Sequence, residues 1–142
     1  MTYTCEMIIH GKREWVIKNY IDKNQMPLWE KGLTEIIDVK GQLFDTGSEG
    51  YMIFVFGDQE MKMKVSVEKN ALPEQIIQIF EVPGAWNRCD NHFYEMVEDT
   101  KWVMDVTFLF DEETNIPKER FIEKTTAGMQ IFKDFVEGIN KV

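Results

Sequence analysis

Residues 50–80 read GYMIFVFGDQEMKMKVSVEKNALPEQIIQIF, and this run decides the architecture. Met52, Phe54 and Phe56 alternate with their neighbours, as do Met61, Met63 and Val65, which is the period-two pattern of half-buried strands. Gly57-Asp58 is a turn dipeptide, and Asn70-Ala71-Leu72-Pro73 makes a four-residue connection. Pairing Phe56 with Met61 puts Phe54 opposite Met63 and Met52 opposite Val65, so that six side chains line one face. On the third strand, Gln78 and Phe80 share a parity with Ile76.

The pattern continues outward in both directions. A two-residue loop at Glu98-Asp99 sets Glu95 opposite Trp102 and Phe93 opposite Met104, extending the apolar row into Val106 and Phe108. Asn91 shares the parity of Phe93 and points inward, while Arg88, Asp90 and His92 take the convex, wetter face. Beyond Asn115-Ile116-Pro117, the residues Phe121, Thr125, Gly128, Phe132, Phe135 and Ile139 recur every three or four positions. That spacing predicts one amphipathic helix of about six turns. On the N-terminal side, Tyr3 to His10 alternates as a strand, and Trp15, Val16, Asn19 and Tyr20 recur at helical spacing. Asn24 and Pro27 then break the helix before a short MPLWEKG segment carrying Trp29. Lys40-Gly41 turns the chain into the meander. One strand, two short helices, a six-strand antiparallel meander and a long C-terminal helix form a layered α+β plan.

Composition narrows what such a domain does. The 142 residues are 44% apolar, enough for one domain with a sizeable core over 1–142. With 25 acidic against 16 basic side chains the formal charge is −9, which disfavours nucleic acid and anionic membrane surfaces as partners. The N-terminal residues lack the order of a signal peptide, and no apolar run approaches the roughly 18 residues of a membrane span. A cytoplasmic protein is expected, with Cys5 and Cys89 reduced and buried.

Phe44 to Gly50 spells FDTGSEG, which includes the Asp-Thr-Gly-Ser of an aspartic protease loop. That chemistry needs two carboxylates sharing a proton, and since the chain has no second copy, a symmetric dimer would have to supply it. Glycines that permit turn angles, with Asp45, Thr46 and Ser48 to satisfy nearby amides, make this a strand connection. Cys5, His10, Cys89 and His92 are residue types that zinc favours. Along a strand, however, an odd separation sends Cys89 and His92, or Cys5 and His10, to opposite faces, so no metal site is expected from those pairs.

Several short motifs resemble one family. Glu14-Trp15-Val16 followed by Asp22 and Trp29 resembles the opening helix pair of the START-like, Bet v 1-like superfamily. Gly41 with Gly47-Ser48 is similar to its glycine turn and the start of its third strand. Leu72-Pro73 before Ile76-Ile77 resembles its Pro-rich turn, and Thr100-Lys101-Trp102 its Thr-Arg start of the seventh strand. The resemblance runs from about Thr4 to Asn140. His10-Gly11 stands where the family commonly has Ala-Pro, and one proline stands where the second turn usually has two. The polyketide cyclase-like and Hsp90-ATPase-activator-like branches both fit.

The resemblance implies a helix-grip fold, a curved seven-stranded antiparallel sheet wrapped around the C-terminal helix. It also implies a small hydrophobic, lipid-like or aromatic ligand between the two. The ligand-facing set would be Trp29, Met52, Phe54, Phe56, Met61, Met63, Gln78, Phe80, Asn91, Phe93, Met104, Val106, Phe108, Thr125 and Phe132. The same apolar row reads equally as filled core. No nucleophile with an adjacent base stands out, so binding ranks above a cyclase or aromatase activity, and no cofactor is implied. A third reading is a chaperone-interacting or homodimerising module, resting on the acidic surface and on Tyr94, Val103 and Leu109 on the outer face.

Overall fold

The computed structural model describes residues 1–139; Asn140, where the resemblance and the single-domain reading continue, lies outside them. Seven strands form one antiparallel sheet: β1 (Thr2–Ile9), β2 (Leu33–Lys40), β3 (Glu49–Phe56), β4 (Gln59–Ala71), β5 (Gln75–Val82), β6 (Ala85–Glu95) and β7 (Thr100–Phe110). Their spatial order is β1-β7-β6-β5-β4-β3-β2. Because β1 and β2 occupy opposite edges, the segment joining them has to cross the full width of the sheet. It does so through helix α1 (Arg13–Tyr20) and a single 3-10 turn at Met26–Leu28, the turn standing where a second short helix is expected. Pro27 sits in its first turn, where a missing N–H costs nothing. The long helix α2 (Lys118–Ile139) then packs on the inner face, completing the helix-grip arrangement. No helix among the described residues is long and apolar enough to cross a membrane.

Curvature has local causes. Register shifts interrupt the β2–β3 ladder between Leu33 and Glu35 and between Asp38 and Lys40, and the β4–β5 ladder between Val67 and Lys69. Each extra residue bends its strand and increases the local twist.

Both hairpin registers differ from the sequence reading by two residues. Phe56 pairs with Gln59, Phe54 with Met61, Met52 with Met63 and Gly50 with Val65. The turn is Gly57-Asp58 alone, with Gly57 at φ 63°, a backbone angle that favours glycine in a two-residue hairpin. Across β6 and β7, Glu95 pairs with Thr100, Phe93 with Trp102 and Asn91 with Met104. Here Met96 to Asp99 form a four-residue connection, closed by the Met96 amide on the Asp99 carbonyl at 2.9 Å. A shift of two preserves the face of every side chain, so the inner and outer sets survive the correction. Asn70 and Ala71 likewise belong to β4 rather than to a turn. Pro83-Gly84, with Gly84 at φ 88°, supplies the β5–β6 turn that the sequence reading passes over.

On α2 the buried residues are Met129, Phe132 and Val136, with Phe121, Ile122, Thr125 and Phe135 half-buried. Gly128 is exposed. The stripe therefore runs through Met129 instead, one position round the helix from the expected glycine.

The FDTGSEG segment is a strand connection docked on β4. Gly47 at φ 80° donates its amide to the Val67 carbonyl at 2.8 Å. Thr46 Oγ1 accepts from the Asn70 amide at 2.8 Å, and Ser48 Oγ donates to the Asp45 carbonyl at 2.6 Å. Leu43 and Phe44 are buried beneath it. Gly50 packs tightest, since a Cβ there would lie 2.2 Å from the Ile37 carbonyl oxygen and 2.6 Å from Leu43 Cδ1.

Gly50→Ala is expected to destabilise the protein by about 3 kcal/mol, the upper end for overpacking against backbone. Gly128→Ala, in open space on an exposed helical face, should stabilise by about 0.5–1 kcal/mol. Urea unfolding midpoints of the two variants, moving in opposite directions, check both.

Candidate ligand-binding groove

The interior is closed at one end by five aromatic rings. Phe132 of α2 lies 4.7 Å from Trp29, 5.3 Å from Tyr20 and 5.5 Å from Trp102, all tilted steeply to it. Tyr20 also stacks on Trp29 at 5.7 Å, and Phe93 on Trp102 at 5.7 Å. Edge-to-face pairs of this kind each contribute about 0.5–1.5 kcal/mol beyond their buried area. All five rings are buried, with Phe132 at 0% exposure. The polar tips inside the cluster are bonded locally. Trp102 Nε1 donates to Asn91 Oδ1 at 3.0 Å, Asn91 Nδ2 donates to the Ile76 and Cys89 carbonyls, and the Tyr20 hydroxyl donates to Gln78 Oε1 at 2.9 Å. Asn91 thus spends both ends of its amide on the fold.

The other end is built differently. Helix α2 runs closest to β1, where the Tyr3 hydroxyl lies 2.7 Å from Thr125 Oγ1 and also donates to the Phe121 carbonyl at 3.3 Å. The inner faces of β4, β5 and β7 opposite the first half of the helix are left partly uncovered. Met63, Phe80, Met104 and Phe108 are only half-buried although they point inward, and Phe121 and Thr125 on the helix match them. Phe108, Phe110 and Phe121 group at the rim with centroids 5.2–5.6 Å apart. At the β3–β4 tip Phe56 and Met61 are 53% and 39% exposed, beyond the reach of the helix.

The fifteen residues expected to face a ligand therefore separate into groups. Met63, Phe80, Met104, Phe108 and Thr125 border the open half. Met52, Phe54 and Val106 on the same face are buried, while Trp29, Gln78, Asn91, Phe93 and Phe132 belong to the plugged end. Phe56 and Met61 stand at the outer lip.

Sequence reasoning missed Glu30. It follows buried Trp29 directly, and desolvation pushes its carboxyl up to about 7. Its charge also reaches Tyr20 and Cys89, whose ionisations burial raises first and the Glu30 carboxylate raises further. Glu30 is half-buried, close enough to Tyr20 and Cys89 for both to feel its charge. Nothing in PLWEKG signals this, because the burial depends on strands far along the chain. Trp29 Nε1 is buried without a partner among the described residues.

Other candidates disperse. Cys89 is buried on the inner face and His92 half-buried on the outer one. Tyr94 and Leu109 are exposed, but Tyr94 pairs with Lys101 at one end of the sheet and Leu109 with Trp86 at the other, with Val103 half-buried between. An open surface cleft of about 740 Å³ lies outside the groove, where Lys12 and Lys18 face Glu14, Glu98 and Asp99. Its mixed charge and openness set it apart from an enclosed apolar site.

No protein-family model and no curated protein matches this chain. Among solved structures it is similar to Ara h 8.0201, with TM-score 0.82, 11% identity, and coverage of 97% of this chain and 98% of that one. A protein from Chromobacterium violaceum gives TM-score 0.77 at 12% identity, covering 96% of each chain. A START superfamily protein from Mycobacterium smegmatis gives 0.72 at 10% identity, covering 97% and 98%. The chain has the Bet v 1/START-like helix-grip fold.

Glu30 generates a pH prediction. A carboxyl that holds its proton more tightly folded than unfolded favours the native state at low pH. Its contribution is therefore lost as pH rises from its ordinary value near 4.5 through about 7. Between those limits the wild type should lose about 2 kcal/mol that a Glu30→Gln variant retains. Urea unfolding of both proteins from pH 4.5 to 8 reads the difference, and parallel pH profiles would refute the burial of this carboxyl.

Proposed function

We propose that this protein binds a small, predominantly apolar molecule in the groove between the first half of α2 and the inner faces of β4, β5 and β7. The observation that carries this is the gradient of burial along the inner face. Five aromatic rings seal one end, while inward-pointing Met63, Phe80, Met104 and Phe108 at the other remain partly accessible. The four pack against the core on one side and remain partly accessible on the other, which fits the wall of an open-sided apolar site. Methionines in that wall adapt to ligands of varied outline.

The buried Cys89 thiol does not offer a reactive nucleophile to this groove. Burial pushes the Cys89 thiol up to about 12, so at neutral pH it carries its proton, and the thiolate is the reactive form. The formal charge of −9 fits a neutral ligand better than an anionic polymer.

A neutral fluorescent probe, N-phenyl-1-naphthylamine, tests the reading. It should bind saturably at one site per chain and be displaced by long-chain alcohols. Phe80→Asp and Phe108→Asp should each weaken binding at least about tenfold, or about 1.4 kcal/mol. Phe56→Ser at the exposed tip should leave it nearly unchanged. Equal probe affinity in wild type and both Asp variants would overturn the proposal.

A further inference from the structure

The outer face of the sheet holds an arrangement that the groove does not use. Asp90 on β6 and Asp105 on β7 are direct cross-strand partners, and His92, two residues beyond Asp90, projects from the same face. One ligand atom from each of Asp90, His92 and Asp105 lies within 4.8 Å of the other two. Carboxylates directly opposed across antiparallel strands repel one another. Among the described residues no Lys or Arg pairs with either of them. Arg88, on the same outward row, is committed to Glu68 by hydrogen bonds of 3.0 and 2.7 Å. The imidazole comes within contact distance, with His92 Nε2 3.1 Å from Asp90 Oδ1, and Arg88 feels the Asp90 charge without forming an ion pair with it.

The flanking strands orient the two carboxylates with neutral donors. Thr4 Oγ1 on β1 donates to Asp105 Oδ1 at 2.6 Å, and Gln75 Nε2 on β5 donates to Asp90 Oδ1 at 2.9 Å. On Asp90 the oxygen that Gln75 holds is the one facing His92, so that donor aims Oδ1 at the imidazole, while Thr4 holds Asp105 by its own Oδ1. Outer partners of this kind set the direction of metal ligands.

We propose that Asp90, His92 and Asp105 form a site for a divalent first-row transition-metal ion, Zn²⁺ being the probe, with its remaining positions open to water. An imidazole nitrogen with two carboxylate oxygens is a donor set for Zn²⁺ and its neighbours rather than for Mg²⁺ or Ca²⁺, which take oxygen ligands. Ligand atoms around tetrahedral zinc lie about 3.3 Å apart when each bond is about 2.0–2.1 Å, close to the His92–Asp90 separation already present. Drawing Asp105 in requires only side-chain rotation, since the strand register holds its backbone opposite Asp90. The ion would cancel the repulsion across β6 and β7, and Asp105 is exposed enough to admit it.

Isothermal titration of tag-free, chelator-treated protein with ZnCl₂ at neutral pH and physiological salt tests this. One equivalent should bind, millimolar Mg²⁺ should not compete, and Asp105→Asn and His92→Gln should each weaken binding by at least about tenfold. Zn²⁺ should raise the melting temperature of the wild type and not of Asp105→Asn. Without metal that variant should melt no lower than wild type, because it loses a like-charge pair, so weakened binding is separated from misfolding. Zinc binding that persists in both variants, that disappears instead in His10→Gln, or that never saturates at one equivalent would overturn the site.

Discussion

The packing of Phe132 against Tyr20, Trp29 and Trp102 is the contact on which the rest of the molecule depends. Those four side chains come from α2, α1, the segment after the 3-10 turn, and β7, so one cluster joins the layers that the chain's crossing connection has to unite. Each ring removes a large apolar area from water, and the steep ring angles add quadrupole attraction to that burial. A helix fixed this firmly at one end need not be packed along its whole length. Hydrogen bonds from Tyr3 to Thr125 and Phe121, and from the His10 amide to Glu137 at 2.9 Å, tie α2 to the β1 edge. Met63, Phe80, Met104 and Phe108 on the inner face are consequently left only partly covered. Groove and plug are two results of one packing decision.

The polar residues inside follow the same division. At the plugged end, Asn91 and Gln78 are consumed by Trp102 and Tyr20, as a buried amide must be if it is to avoid the cost of a lost partner. Elsewhere in the interior, Trp29 Nε1 has no partner among the described residues and desolvation raises the Glu30 carboxyl to about 7. Unsatisfied groups are tolerated where something else can meet them, and an interior open on one side offers that.

The architecture was readable from the sequence because its signals are local. Alternation in GYMIFVF and MKMKVSV names the inward set whatever the pairing, and the resemblance through Trp15, Asp22, Gly47 and Pro73 orders the elements. Register was not readable, since it depends on which residues the turn consumes. Gly57-Asp58 takes two, while Met96 to Asp99 takes four. On α2 the stripe was misplaced at Gly128 because spacing alone cannot distinguish adjacent positions, and a glycine has no side chain to bury; Met129 does. The candidate site was legible only as a list of inward residues. Whether Phe80 or Phe93 is covered depends on where the helix lies, which is a matter of tertiary packing. Glu30 was invisible for the same reason.

The outer face acquires its character from the constraints on the inner one. Phe93 opposite Trp102 and Asn91 opposite Met104 fix the β6–β7 register, and the Trp102–Asn91 hydrogen bond locks it. A slip of one residue would turn Asp90 and His92 into the core and expose Phe93, which no sheet with one buried face can accept. A slip of two would keep the faces but break the indole's hydrogen bond, leaving buried groups unpaired. Asp90 is therefore held against Asp105 by contacts on the opposite side of the sheet, and it cannot move away to relieve its own repulsion. Charge on the outer face is resolved through side chains and counter-ions, because the backbone beneath it has already been positioned by aromatic packing.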